Sequence, residues 1–278
     1  MLRALSSYIH IKKRLHPGLL DSFKRGGAQA VEVFAARGHF NYHDKEHVKE
    51  IGGWFKSEGV EFHSMHSPIY MSNDLHSGGE PLNIVDIEKR KRIDAMDEIK
   101  RALEVAEYAP FRFLVQHIGH TGEADDPRKF EAALSSIEHL RAFGRQLGVT
   151  LLVENIPSDL STPERLLELL KALHYPDLGI CFDTGHAHLM SSVHQAYGVL
   201  QDRILSTHVH DNHRDRDSHL WPGEGTIDWN QTMQCLQAAA HAPALLMELE
   251  GEEGLDVAGK MSEAYNRLEA AAATEKLP

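Results

Sequence analysis

The chain contains eight short apolar segments, and each is followed by a polar loop and then by helix-like sequence. This repeated pattern limits the possible folds more than any other feature. The segments are Ser7–Ile11, Ala30–Phe34, Val60–Met65, Phe111–Gln116, Thr150–Val153, Leu178–Phe182, Ile204–Val209 and Ala244–Leu249. Parallel strands need long crossover connections, which are usually helices, so this alternation predicts a parallel sheet. Eight such units in 278 residues match the size of a closed barrel. We therefore predict an α/β fold, a single (β/α)8 TIM barrel spanning residues 1–278.

Helical patterns fill the intervals between the predicted strands. The predicted helices include Lys45–Ser57, Val85–Tyr108, Pro127–Leu147, Pro163–Leu173 and Trp229–Ala240, with Val257–Ala273 as the last outer helix before a polar tail. Asp126–Pro127 and Thr162–Pro163 each place a capping side chain before a proline, as the first turn of a helix favours. The polar stretch Met71–Ile84 is expected to be a loop in a position suited to a lid. A doubly wound sheet is the alternative fold, but no glycine-rich phosphate loop follows the first predicted strand.

The composition argues against several classes of protein. Asp and Glu number 41 against 29 Lys and Arg, and the net charge of −12 argues against sequence-independent binding of nucleic acid, which relies on basic side chains. No stretch approaches the ~20 consecutive apolar residues of a membrane span, and residues 1–15 lack the apolar core of a secretory signal. Cys181 and Cys235 are too few for a disulfide framework or a thiolate metal site. We therefore expect a cytoplasmic protein that does not associate with membranes.

Histidine is unusually frequent, with 20 residues, and half of them lie at or beyond the ends of the predicted strands. These ten are His63, His66, His117, His120, His186, His188, His208, His210, His213 and His219. In a TIM barrel the active site forms at the carboxyl ends of the strands. Glu154, Asp183, Asp217 and Glu248 fall in the same places. Imidazole and carboxylate groups together are ligands of zinc, manganese or iron, so the sequence predicts a site for divalent metal.

Four segments near these strand ends resemble the xylose isomerase-like TIM barrels. They are VEN at 153–155, FDTGH at 182–186, HVHDN at 208–212 and DSHLWPGEGTIDW at 217–229. The resemblance extends from about the second predicted strand to the eighth. The superfamily contains sugar isomerases and epimerases and also the endonuclease IV type of DNA-repair enzyme. The resemblance therefore specifies the barrel and its metal site, but it does not distinguish between the reactions of these enzymes.

The similarity to the isomerases and epimerases implies one ion held by Glu154, Asp183, His208 and Glu248. It also implies that Glu154 and Glu248 are the catalytic pair, flanking a sugar or a sugar phosphate. The two glutamates would move protons on opposite faces of the substrate through an enediolate, whose charge the ion stabilises. We favour this function because the segments at 31–44, 210–212 and 222–229 look most similar to proteins of this kind.

The similarity to the endonuclease IV type implies an alternative, a multinuclear zinc phosphoesterase acting on abasic-site DNA or another phosphodiester. His66 and His117 would then join Glu154 at a second ion, and His186, Asp217 and His219 would hold a third. Three ions suit the activation of water and the neutralisation of charge in phosphoryl chemistry. The segments SSYIHIKKRLHPG and AARGHFNYHD do not resemble the DNA-contacting loops of that enzyme, which places this function second. The predicted cofactor is one to three divalent ions per chain, zinc or manganese, and nucleic acid is a partner only in this alternative.

Three further residues are expected to contact a small-molecule carbohydrate. Arg37 follows the second predicted strand and could bind a phosphate or carboxylate, and Trp221 could stack on a sugar ring. His210 lies two residues after His208, so in an extended strand the two side chains point to the same side. Glu32 lies inside the second predicted strand and needs a buried partner if it points inward. The non-enzymatic alternative is a metal-stabilised binding protein. Nine inward-facing ligands at an open barrel mouth argue against it. A homo-oligomer is compatible with the sequence.

Overall fold

Parallel strands arranged in sequence order form the centre of the protein. The structure, a computed structural model, describes residues 1–71 and 80–273. Within these residues the strands are β1 Arg3–Ser6, β2 Ala30–Phe34, β3 Glu61–His66, β4 Phe113–His117, β5 Thr150–Glu154, β6 Gly179–Asp183, β7 Ile204–His208 and β8 Leu245–Met247. Their order is β7-β6-β5-β4-β3-β2-β1-β8, so each strand pairs with the next along the chain and β1 pairs with β8.

The sheet closes between β7 and β8 through backbone contacts of Val209. The amide of Val209 donates to the carbonyl of Leu246 at 2.8 Å, and the amide of Glu248 donates to the carbonyl of Val209 at 3.2 Å. These bonds complete the ring of parallel strands, so the predicted TIM barrel is confirmed. All strand carboxyl ends consequently lie at one mouth of the barrel.

Helices surround the barrel and shield it from solvent. Within the described residues they are α1 Pro17–Arg25, α2 Lys45–Glu58, α3 Lys89–Leu103, α4 Pro127–Gln146, α5 Pro163–Leu173, α6 Thr184–Met190, α7 Val193–Leu200, α8 Trp229–Ala238 and α9 Val257–Ala273. The predicted caps are present, because the Asp126 carboxylate and the Thr162 hydroxyl accept hydrogen bonds from backbone amides of α4 and α5. Fully buried side chains from successive helices, including Phe23, Ile51 and Ile99, fill the layer between helices and sheet. None of the helices in the described ranges is long and apolar enough to cross a membrane.

The first strand lies earlier in the chain than the sequence suggests. The predicted strand Ser7–Ile11 is wrong: β1 is Arg3–Ser6, and Ser7–His10 forms a 3-10 turn. The Ser6 hydroxyl caps this turn by accepting a hydrogen bond from the Tyr8 amide at 3.3 Å. The apolar run therefore follows the strand instead of forming it, and Tyr8 comes to lie at the barrel mouth.

Other predicted bounds differ as well, most of them by one or two residues and the third helix by more. The segment predicted as the helix Val85–Tyr108 contains α3, which begins only at Lys89, and then a 3-10 turn over Glu104–Glu107. The predicted loop Met71–Ile84 includes residues 72–79, which lie outside the described residues, so its expected role as a lid is not addressed. Residues 274–278 of the predicted polar tail also lie outside them.

Candidate metal centre

The ends of six successive strands deliver side chains of the kind that bind metals. His66 ends β3, His117 ends β4, Glu154 ends β5, Asp183 ends β6, His208 ends β7, and Glu248 follows β8 directly. Because the strands are parallel, these residues meet at the same barrel mouth. Glu154, Asp183 and His208 are fully buried, and Glu248 is only 4% exposed. Buried carboxylates need a counter-charge, which a divalent cation can provide.

Glu154, Asp183, His208 and Glu248 form the central group. The His208 Nδ1 lies 3.2 Å from Glu154 Oε1, 3.5 Å from Glu248 Oε2 and 3.9 Å from Asp183 Oδ2. One ligand atom from each of the four lies within 4.8 Å of all the others. One imidazole and three carboxylates suit zinc or manganese, so the residues present fit a divalent ion.

Glu32 fixes the orientation of the His208 ring from the side opposite the central group. Its carboxylate oxygens lie 3.0 and 3.2 Å from His208 Nε2, and the Ser64 hydroxyl donates to it at 2.8 Å. A register shift in the pairing of β2 with β3 sets Glu32 opposite Ser64, inside the barrel and fully buried. Glu32 therefore keeps a proton on Nε2, and Nδ1 is the nitrogen that can bind an ion once the ion displaces the proton there. The buried partner that Glu32 needs is thus His208.

His66, His117 and Glu154 form the β3–β4 group beside the central group. Glu154 Oε2 lies 3.1 Å from His117 Nε2 and 3.5 Å from His66 Nε2. The two imidazole nitrogens are 3.2 Å apart. Glu154 therefore presents one carboxylate oxygen to this group and the other to the central group.

The loop group combines His186 at the start of α6 with His210, Asp217 and His219 from the segment between β7 and α8. Asp217 Oδ2 lies 3.0 Å from His186 Nε2 and 3.2 Å from His219 Nε2. His210 Nε2 lies 3.8 Å from Asp217 Oδ1 and 3.1 Å from the Asp183 carboxylate. The resemblance to the endonuclease IV type implies His186, Asp217 and His219 as one set, but it does not include His210 among the ligands.

Ionised carboxylates and protonated imidazoles balance one another across these groups. Burial raises the pKa of Glu154, but the facing His208 and His117 outweigh it and hold that pKa well below the usual range. Burial lowers the pKa of His186, but Asp183 and Asp217 raise it well above its ordinary value. Burial also opposes protonation of His219, whose pKa Asp217 nevertheless raises to about 9. A divalent ion would replace the protons on these imidazoles as the compensating positive charge.

A cavity of about 490 Å³ opens above the groups at the barrel mouth. Its lining includes Tyr8, Phe34, His66, His117, Glu154, His186, Asp217, His219 and Glu248. The volume lies within the range of about 300–1,000 Å³ typical of small-molecule sites. Phe34 stacks on His66 with ring centroids 4.3 Å apart and lines the cavity together with the apolar side chains of Ile69, Pro81 and Ile156. The sequence does not identify Tyr8 as a site residue, because it places Tyr8 within the first strand.

The three residues expected to contact substrate are not among the described residues that line this cavity. Arg37 forms an ion pair with the buried Glu98 at 3.0 Å. Trp221 lines a neighbouring groove, where the Lys260 ammonium lies 5.8 Å from its ring centroid. His210 is fully buried within the loop group. A role for these side chains in substrate binding stays a prediction.

The chain matches the family model described as "Xylose isomerase-like TIM barrel" over residues 20–273, and it belongs to this family. Its curated relatives include the uncharacterized protein MJ1614 of Methanocaldococcus jannaschii, 26% identical over 188 residues, which are 66% of this chain and 73% of the relative. The uncharacterized protein y4fM of Sinorhizobium fredii is 25% identical over 214 residues, 68% of this chain and 67% of the relative.

Solved structures with the same fold cover nearly the whole chain. A D-tagatose 3-epimerase-like protein superimposes with a TM-score of 0.79 at 22% identity, covering 98% of both chains. A D-psicose 3-epimerase with D-tagatose from Clostridium cellulolyticum H10 has a TM-score of 0.79 at 11% identity, covering 98% of this chain and 99% of that one. The IolI protein with a bound zinc atom has a TM-score of 0.71 at 14% identity, covering 98% of this chain and 96% of that one. At these identities the similarity establishes the fold.

Proposed function

We propose that this protein is a divalent-metal-dependent isomerase or epimerase of a sugar or sugar phosphate. The observation that carries the proposal is the central group, in which Glu154 and Glu248 both reach the cavity while Asp183 and His208 complete a ligand set. Chemistry beside a carbonyl needs a Lewis acid and groups that exchange protons at carbon, and this arrangement supplies both. The epimerases among the structures of the same fold support this class of substrate.

The two glutamates would divide the proton transfer between them. When bound, the ion would polarise the sugar carbonyl and stabilise the negative charge of an enediolate. One glutamate, as carboxylate, takes the proton from the carbon beside the carbonyl, and the C–H electron pair becomes the C=C bond of the enediolate. The other glutamate, as carboxylic acid, returns a proton to the opposite face of that carbon in an epimerase, or to the neighbouring carbon in an isomerase. Glu154, which is ionised in the metal-free site, is suited to the first role.

The test is turnover of a panel of ketohexoses and ketose phosphates by protein loaded with Mn²⁺ or Zn²⁺. We expect an epimer or an aldose as product, and a loss of about 10²–10⁴-fold in kcat for Glu154→Gln and for Glu248→Gln. Glu250→Gln is the matched control, because Glu250 lies close by in the chain but pairs with Lys12 at 3.3 Å outside the cavity. Wild-type turnover in both cavity variants would contradict the proposal.

The β3–β4 group favours a second candidate, a multinuclear phosphoesterase. Glu154 presents separate oxygens to two ligand groups, which is the arrangement of a carboxylate that bridges two ions. Hydrolysis of an aryl phosphodiester or of abasic-site DNA, lost in His117→Ala, would support this candidate. Sugar turnover that survives in His117→Ala would support the isomerase, because the central group does not include His117.

A further inference from the structure

Two aromatic side chains, Tyr8 and Phe34, form an aromatic wall of the cavity at the barrel mouth. Their ring centroids lie 5.2 Å apart, so the two rings contact each other. Tyr8 also contacts His219 of the loop group at 5.1 Å, and Phe34 stacks on His66 of the β3–β4 group at 4.3 Å. The aromatic wall therefore extends along the cavity from the loop group to the β3–β4 group.

Ser7 joins the two chain segments that carry this wall. It directly precedes Tyr8, and its hydroxyl accepts a hydrogen bond of 2.9 Å from the Phe34 amide. The pairing of β1 with β2 ends at Ser6 and Glu32, because β1 passes into the 3-10 turn there. The Ser7 hydroxyl therefore supplies the acceptor that a longer first strand would have offered to Phe34. Ser7 is fully buried, so water cannot replace this bond.

His39 fixes the direction of the Ser7 hydroxyl. Its Nδ1 lies 2.6 Å from the Lys13 carbonyl, which can only accept, so Nδ1 carries the proton of the ring. Burial lowers the pKa of His39 to about 4, which keeps the ring neutral and leaves Nε2 as an acceptor. Ser7 consequently donates to Nε2 at 2.9 Å, while its oxygen accepts from the Phe34 amide.

We propose that Ser7 and His39 are positioning residues that hold the aromatic wall in place, so that they set the affinity for substrate without touching it. Neither is among the described residues that line the cavity. The His39 ring bonds to Ser7 and to the Lys13 carbonyl, and its own carbonyl accepts from the Leu15 amide at 2.8 Å. His39 thus locks the segment after β1 onto the loop after β2, behind the wall. The inference rests on the proposed function in that the substrate is a sugar, whose C–H groups pack against aromatic rings.

A purely structural role for the Ser7–His39 pair would give a different kinetic result. A side chain that only stabilises the fold changes the amount of active protein and hence the apparent kcat, whereas the molecules that remain folded keep the wild-type KM. Tyr8 and Phe34 exchange no proton in the proposed reaction, so their wall binds the ground state and the transition state alike. Displacement of such a wall raises KM and leaves kcat unchanged.

The first experiment measures KM and kcat of ion-loaded variants with the ketose that the wild type turns over best. Ser7→Ala removes the link, and we expect KM to rise about fivefold with kcat within about twofold of the wild type. His39→Asn places an amide near the position of Nδ1 but nothing at that of Nε2, so it should behave like Ser7→Ala. His39→Gln places an amide oxygen near the position of Nε2, where it can accept from Ser7, and should restore a KM close to that of the wild type.

Ser136→Ala is the matched control for the loss of a buried hydroxyl. Ser136 is fully buried and donates to the Ile84 carbonyl at 2.8 Å, and neither residue is among the described residues that line the cavity. Its KM should equal that of the wild type. A wild-type KM in folded Ser7→Ala and His39→Asn, or an equal rise in Ser136→Ala, would overturn the proposal.

The second experiment observes the wall directly and needs no substrate. Protein labelled with 3-fluorotyrosine and loaded with diamagnetic Zn²⁺ gives a fluorine NMR signal for Tyr8, which Tyr8→Phe assigns. Because the Phe34 and His219 rings contact Tyr8, this signal should shift in Ser7→Ala and in His39→Asn but not in Ser136→Ala. An unmoved signal in Ser7→Ala and His39→Asn would overturn the positioning role. A shifted signal together with no turnover of any ketose by the wild type would support the positioning role and contradict the proposed function.

Discussion

The hydrogen bond from His208 to Glu32 predicts a measurable loss of ion affinity when the Glu32 charge is removed. Glu32→Gln keeps the shape of the side chain and an oxygen that can accept from His208 Nε2, while its amide nitrogen can donate to the Ser64 hydroxyl, so the variant removes the charge and reverses the Ser64 hydrogen bond. A hydrogen bond to a charged group contributes about 1.5–3 kcal/mol, against about 0.5–1.5 kcal/mol for a neutral one. The difference of roughly 1–1.5 kcal/mol corresponds to about tenfold weaker binding at the central group.

The assay is a Mn²⁺ titration followed by electron paramagnetic resonance, because manganese favours the carboxylate-rich central group over the imidazole-rich loop group. Glu61→Gln is the matched control: Glu61 forms a similar pair with His63 at 3.0 Å, but neither residue belongs to a ligand group. We expect Glu32→Gln to bind Mn²⁺ about tenfold more weakly and Glu61→Gln to bind it like the wild type. Equal affinities in all three proteins would refute the positioning role of Glu32.

Two further predictions concern protons. The carboxylates raise the pKa of His208 and His186, so an incoming ion must displace protons from these rings and its affinity should rise with pH. Calorimetry in buffers of different ionisation enthalpy measures this proton release. An ion affinity that does not depend on pH would contradict the prediction. Burial lowers the pKa of His39 to about 4 from 6.5, so the unfolded chain takes up a proton that the folded chain does not, and about 3 kcal/mol of stability is lost as pH falls between these values. In His39→Gln, the free energy of unfolding measured with urea should fall less steeply with decreasing pH over that interval than in the wild type. An equally steep fall in both proteins would contradict the low pKa of His39.

The common location of the strand-end ligands could be predicted because strand direction alone brings them to one mouth, whereas their assignment to ligand sets rests on the family resemblance. Asp183 and His208 follow short apolar runs, and all parallel strands end at one mouth, so no knowledge of long-range contacts is needed to bring these residues together. The capping pairs before α4 and α5 are predictable for the same reason, since a cap depends on residues two or three positions apart.

Features that depend on contacts across the barrel could not be predicted from local pattern. Glu32 and His208 are 176 residues apart in the chain, and no periodicity identifies them as partners. Arg37, in the loop after β2, forms an ion pair with Glu98 of α3, and the packing of His210 depends on the absence of a side chain at Gly185. The first strand was misplaced because its apolar residues continue into the 3-10 turn that contains Tyr8.

Solvent-deuterium exchange is the most direct test of proton transfer by Glu154 and Glu248. The ion-loaded protein is incubated with ketoses and ketose phosphates in D₂O, and deuterium at the carbon beside the carbonyl is measured by NMR, with the ion content of each variant determined in parallel. In samples that retain the ion, we predict deuterium at that single carbon with the wild type, none with Glu154→Gln, and exchange without formation of product with Glu248→Gln, in which the abstracting glutamate is still present. Exchange at the wild-type rate in both variants, or no exchange with any of these sugars by the ion-loaded wild type, would contradict the proposed chemistry.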